Sequence, residues 1–129
     1  MRQFGLIGFP LSHSFSKGYF SEKFSKEGID GIAYENYPIE HIAAFNQLWK
    51  EHAALEGLNV TIPHKKSVIP YLQYVSPVVK DIQACNCIRK FEGALYGYNT
   101  DVVGFEKSLR PFLKADHKKA LILGTGGAA

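Results

Sequence analysis

Residues 4–28 read Phe4-Gly-Leu-Ile-Gly-Phe-Pro-Leu-Ser-His-Ser-Phe-Ser16-Lys-Gly-Tyr-Phe-Ser-Glu-Lys-Phe-Ser-Lys-Glu-Gly28 and set the class of the fold. Phe4–Phe9 is a short apolar run closed by Pro10, the pattern of a buried strand. Ser16 can cap a helix that runs to Glu27, with Phe20 and Phe24 on one face and Gly28 as its stop. Strand, polar loop and amphipathic helix in that order are the opening of an α/β layer.

The alternation continues downstream. Ala33–Ile39 reads as a strand, with Pro38 marking an edge or an end. Ile42, Phe45 and Trp49 fall at helical spacing within 40–52, which predicts an amphipathic helix. Leu58–Ile62 is a third strand, stopped by Pro63. Residues 65–72 can form a helix that turns Val68, Ile69 and Leu72 inward, with a kink or break at Pro70. A short helix is predicted over 77–83. The stretches 86–91 and 94–98 flank Glu92-Gly93 and read as a β-hairpin. From Asp101 to Leu113, Val102, Phe105, Leu109 and Phe112 form one apolar stripe, and Ala120–Leu123 reads as a further strand. The expected fold is three-layer α/β, with a mainly parallel, partly mixed sheet whose one antiparallel pair is the hairpin. Residues 1–117 form one domain, with the charged stretch 114–119 at its boundary.

Composition limits the function classes. With 46% hydrophobic and 21% charged residues, the 129-residue chain has the profile of a water-soluble globular domain. No apolar run nears the roughly 18 residues of a membrane span. The start, Met-Arg-Gln-Phe-Gly, lacks the charged and apolar regions of a signal peptide, so the cytoplasm is the expected compartment. The net charge is only +3 and its Lys and Arg pairs are scattered, so no nucleic-acid patch is expected. Cys85 and Cys87 flank Asn86; two apart on a strand they share a face and read as small buried residues, with no metal-ligand spacing around them.

Four loops carry chemistry, each with a plain structural alternative. Hydroxyls at Ser14 and Ser16 can hold a small anion, or Ser16 is simply a helix cap. Asn59 and Thr61 project to one side of the third strand while Val60 and Ile62 project to the other. Lys65 then sits at the sheet's carboxyl edge, where ligands bind in open α/β sheets, or is a surface lysine. His64 reads as a loop residue. Asp101 opens a helix and suffices as its cap, but a carboxylate near a lysine also makes an acid–base pair. Gly124-Thr125-Gly126-Gly127-Ala128-Ala129 fits G-x-G-x-x-A after an apolar strand, the turn that lets a backbone approach a pyrophosphate.

Together the motifs resemble the shikimate dehydrogenase family. They are Gly8-Phe-Pro-x-x-His13-Ser14-x-Ser16, Asn59-Val-Thr-x-Pro63-x-Lys65, Ala84-Cys85-Asn86-Cys87, Asn99-Thr100-Asp101 and Gly124-Thr-Gly-Gly-Ala128, in the family's order and spacing. The resemblance implies NADPH-dependent reduction of 3-dehydroshikimate to shikimate, a step toward chorismate and the aromatic amino acids. It implies that Ser14 and Ser16 bind the substrate carboxylate, and that Asn59, Thr61, Asn86 and Asp101 hold ring hydroxyls. Lys65 would be the acid/base, charge-paired and oriented by Asp101. Gly124, Thr125, Gly126, Gly127 and Ala128 would carry the phosphates of NADP. Residues 118–129 would be the cut-short start of a Rossmann domain, so this chain alone is expected to bind no nucleotide and to show no turnover. The family usually has Val and Thr where this chain has Cys85 and Cys87, and a thiol at 87 does not supply a threonine's hydroxyl. The expected partner is the small-molecule substrate, with a homodimer left open. Two other readings stay open: a quinate/shikimate enzyme of broader specificity, and a non-catalytic domain that senses a small carboxylate.

Overall fold

A computed structural model describes residues 1–127. Its chain order is β1 (Arg2–Gly8), α1 (Ser16–Glu27), β2 (Ile32–Pro38), α2 (Phe45–Glu51), β3 (Leu55–Val60), β4 (Tyr74–Val75), α3 (Pro77–Ile82), β5 (Cys87–Phe91), β6 (Ala94–Tyr98) and α4 (Asp101–Leu109). The six strands form one sheet in the order β2-β1-β3-β5-β6-β4.

Helices lie on both faces, giving the three layers expected. On one face Phe20 and Phe24 of α1 pack over Leu6, Leu11 and Tyr34. On the other, Phe45 and Leu48 of α2 and Val79 of α3 close over Ile7, Leu58, Val60 and Ile88. Phe45 is wholly buried; removing such a side chain costs ~3–5 kcal/mol. Gly28 ends α1 in the left-handed region, at φ 62°, where a Cβ would be strained. The hairpin turn uses the same region at Glu92 and Gly93, φ 48° and 80°, as a two-residue turn between right-twisted strands requires.

The sheet departs from expectation in one respect that matters for the site. Besides the β5–β6 hairpin, β3 pairs β5 antiparallel, while β1–β2, β1–β3 and β4–β6 are parallel. The chain leaves β3 at its carboxyl end and rejoins the sheet at that same edge. β5, which starts at that edge, therefore runs antiparallel to β3 rather than parallel to it.

Several boundaries also shift. β3 starts at Leu55 and ends at Val60, two residues early, so Ile62 is 68% exposed rather than facing inward. The predicted helix over 65–72 is reduced to turns and a 3-10 turn at Ile69–Tyr71, because Pro70 offers no amide hydrogen to an α-helix. Val68 is nevertheless fully buried. The first turn of the 40–52 helix is 3-10, Ile42–Ala44. α3 forms as predicted, capped by Ser76 Oγ accepting from Val79 N. α4 ends at Leu109 and passes into a 3-10 turn, and its stripe of Val102, Phe105, Leu109 and Phe112 is exposed.

Residues 120–123 form no strand, contrary to the sequence reading, and Leu121, Ile122 and Leu123 are exposed. A strand needs a neighbour for its amide and carbonyl groups, and among the described residues no strand lies beside this one. The cysteines do not share a face. β5 begins only at Cys87, so the two-residue period does not reach back to Cys85, which joins the α2–α3 core while Cys87 faces the α1 side beside Tyr34 and Asn59. Among the described residues no helix is long and apolar enough to cross a membrane.

Candidate active site

The topology gathers the chemistry-bearing loops at one edge. β1 and β3 are parallel, so the loops that follow Gly8 and Val60 leave on the same side. β5 runs antiparallel to β3 with Cys87 opposite Asn59, which brings Asn86 to that edge. β6 is antiparallel to β5 with Tyr98 opposite Cys87, so Asn99-Thr100-Asp101 also emerge there. Four segments far apart in sequence thus end together.

The backbone locks these loops to one another. Thr61 N donates to Ile7 O, Phe9 N to Ile62 O, Cys85 N to Lys65 O, and Val60 N to Asn86 O. The Lys65 carbonyl is therefore held by the strand-entry segment that also carries Asn86. His64, 2% exposed, has Nε2 2.6 Å from Ile39 O, so that nitrogen carries the proton and donates. His64 ties the loop to the core and is placed as a structural residue, in line with its reading as a loop histidine.

Side chains complete a continuous network. Lys65 Nζ donates to Asp101 Oδ2 at 2.6 Å. Asn86 Nδ2 donates to Asp101 Oδ1 at 2.8 Å and to Thr100 Oγ1 at 2.9 Å, while Asn86 Oδ1 accepts from Thr100 N at 2.9 Å. Asn59 Nδ2 lies 3.5 Å from Asn86 O, and Tyr34 Oη donates to Asn59 Oδ1 at 2.8 Å. Both Asp101 oxygens are thus engaged, one by the lysine and one by a buried amide, and that fixes the carboxylate in two directions.

Two caps differ from the sequence reading. α1 is not capped by the Ser16 side chain; Ser14 Oγ accepts from Ser16 N at 3.3 Å. α4 is not capped by Asp101; Asn99 Oδ1 accepts from Val102 N at 3.1 Å while Asn99 Nδ2 donates to Ala84 O. Asp101 is thereby released from the structural duty that could have explained it. Tyr34 is a residue of this network the sequence reading did not single out, while Asn99 and Thr100 entered that reading only as part of the Asn99-Thr100-Asp101 motif, with no role of their own. An asparagine three residues before Val102 is a cap signal; nothing local marks Tyr34.

The glycine turn lies against the lysine loop. Lys66 Nζ donates to Thr125 O at 3.3 Å, and a Cβ on Gly127 would come within 2.8 Å of Lys65 Cβ. Gly124 has φ 111°, a conformation that favours glycine. A cavity of about 210 Å³ runs between Asp101, Asn99, Ala84 and Gly126-Gly127. Ala128 and Ala129 lie outside the described residues. A larger cavity, about 370 Å³, is an apolar trough under α1 that meets the site at Tyr34, Asn59 and Cys87.

The structure is thus an open α/β domain with a paired lysine and aspartate among amide and hydroxyl donors at its carboxyl edge. The chain belongs to the family described as the shikimate dehydrogenase substrate binding domain, whose model matches residues 6–88. It is 38% identical over 129 residues to the shikimate dehydrogenase (NADP(+)) of Aquifex aeolicus, covering 98% of this chain and 47% of that protein. It superimposes on shikimate dehydrogenase 1 of Peptoclostridium difficile with a TM-score of 0.87 at 38% identity, covering 99% of this chain and 48% of the other. A shikimate 5-dehydrogenase of Thermus thermophilus, solved in complex with shikimate, gives 0.86 at 33% identity, covering 99% and 49%. The chain spans about half the length of the curated relatives it matches.

Proposed function

We propose that this domain binds shikimate and 3-dehydroshikimate and is the substrate-binding half of an NADP-dependent shikimate dehydrogenase, a cytoplasmic enzyme on the route to chorismate and the aromatic amino acids. The observation that carries the reading is the Lys65–Asp101 pair, held by Asn86 at the edge where Asn59 and the Ser14–Ser16 loop also end. Ser14 and Ser16 offer uncharged donors to a carboxylate. Asn59, Thr61 and Asn86 take ring hydroxyls; Asn86 already gives its amide hydrogens to Thr100 and Asp101, so a ligand there shares them.

Lys65 is the acid/base. Its ammonium gives a proton to the ketone oxygen as that oxygen gains charge, and takes it back in the reverse direction. Asp101 aims the lysine through its 2.6 Å hydrogen bond. Bound NADPH supplies the hydride to the carbonyl carbon. The turn Gly124-Thr125-Gly126-Gly127-Ala128 fits the start of a phosphate loop: it has a left-handed glycine and a Gly127 with no room for a side chain. We take residues 118–129 as the entry to that nucleotide-binding half, and expect turnover only when the half is present. Assembly as a homodimer is compatible with this reading.

The test is Lys65→Ala in a chain that carries the nucleotide-binding half. Turnover should fall by ~100-fold or more while shikimate affinity changes far less. Unchanged turnover would remove Lys65 from the chemistry. Equal loss of binding would favour a role in ligand recognition alone.

A further inference from the structure

We propose that Tyr34 is a positioning residue for Asn59: its hydroxyl pins the Asn59 carboxamide so that Asn59 meets the ligand only as a donor. The inference rests on the reading of this edge as a shikimate site, and goes beyond it by fixing which way one recognition group points.

Tyr34 is on β2, two strands away from β3, with β1 between them. Its side chain faces α1, 4% exposed, with its ring stacked on Phe20 at 4.4 Å between centroids. The hydroxyl ends 2.8 Å from Asn59 Oδ1. A phenol can donate or accept, so that contact by itself does not orient the amide. The other neighbour does. Asn86 O is a carbonyl and only accepts, and it stands 3.5 Å from Asn59 Nδ2. The nitrogen must face Asn86, the oxygen must face Tyr34, and the phenol must be the donor.

Two consequences follow for recognition. With Oδ1 turned toward Tyr34 inside the domain and one Nδ2 hydrogen directed to Asn86, the group Asn59 has left for a ligand is the second Nδ2 hydrogen, which a ligand oxygen can accept. That oxygen, if a hydroxyl, must send its own proton to another acceptor. The second consequence concerns protonation. Burial raises the Tyr34 phenol to about 12, opposed by the Ser16 hydroxyl, so it remains a donor across the working range.

Tyr34→Phe keeps the ring on Phe20 and deletes only the donor. The experiment is a double-mutant cycle of Tyr34→Phe and Asn59→Ala, read by shikimate affinity and melting temperature, together with the Asn59 side-chain amide resonances of the unliganded chain. Tyr34→Phe alone should weaken shikimate about three- to tenfold. Added to Asn59→Ala it should change affinity less than about 1.5-fold, because no amide remains to orient. In the unliganded chain, Tyr34→Phe should move the Asn59 NH2 resonances and speed their exchange. A purely structural tyrosine would lower the melting temperature and weaken binding equally in both backgrounds, which overturns the proposal. Unmoved Asn59 resonances overturn it too. If Asn59→Ala leaves affinity intact, or no variant binds shikimate, the site assignment itself fails, and the resonances still decide whether Tyr34 orients Asn59.

Discussion

Lys65 Nζ lies 2.6 Å from Asp101 Oδ2 across 36 residues of sequence, and the lysine side chain is only 15% exposed. A surface lysine would wander among solvent partners; this one is held at both ends, by its carbonyl to Cys85 N and by its ammonium to the carboxylate. The pair forms because β5 starts at the edge where Lys65 leaves the sheet, which places Asn86 there, and β6 then returns along β5 to bring Asp101 to the same edge.

Asp101→Asn should cut turnover of the complete enzyme by at least ~10-fold with little change in melting temperature. The substitution keeps the shape but sets amide hydrogens against either Lys65 or Asn86 Nδ2. Steady-state rates and a thermal scan check it together. A large stability loss at full activity per folded molecule would make Asp101 a structural residue.

Asn86→Ala should destabilise the domain by ~2–4 kcal/mol. The side chain satisfies Thr100 N and Thr100 Oγ1 as well as Asp101 Oδ1, and it is buried. Urea unfolding gives the number from the shift in midpoint at constant slope.

His64→Ala should cost ~1–3 kcal/mol by orphaning the part-buried Ile39 carbonyl, and should leave shikimate affinity unchanged. The same urea series and a titration separate the two effects. A loss of affinity without loss of stability would bring His64 into the site.

Much of this arrangement was legible in the residues. The strand–loop–helix opening, the hairpin at Glu92-Gly93, the stop at Gly28 and the short helix near 77–83 follow from local chemistry, and local chemistry is what a single sequence carries. Asn59, Lys65 and Asp101 were visible as polar groups ending apolar runs. What was not legible depended on partners distant in sequence. The reversal of β5 along β3, the Tyr34–Asn59 bond across 25 residues, and the transfer of the α4 cap from Asp101 to Asn99 are set by tertiary packing. The 120–123 strand failed for the opposite reason. Its local pattern is strong, yet a strand exists only beside another.

Alkaline stability should be steep. Burial pushes the Cys85 thiol up to about 11 and the Tyr34 phenol up to about 12, and it raises Cys87 as well. The unfolded chain loses these protons near their ordinary values of 9.0 and 10.0, while the folded chain keeps them. Above pH 9 the unfolded state binds fewer protons, so stability falls as pH rises, by up to ~1.4 kcal/mol per pH unit for each group. The decline should begin near 9, gain the tyrosine near 10, and ease beyond 11 to 12. Cys85→Ala should flatten the slope between pH 9 and 10 without abolishing it, as urea midpoints at pH 8, 9 and 10 will read. An unchanged slope would mean Cys85 is not desolvated in solution.

The most direct test of the account is a calorimetric titration of this chain with shikimate, repeated on Ser16→Ala, which spares the Ser14 hydroxyl that caps α1. The account predicts saturable binding that weakens about tenfold when the Ser16 hydroxyl is lost. Equal affinity for both chains would contradict the carboxylate site. So would absence of binding both here and in a chain completed by its nucleotide-binding half.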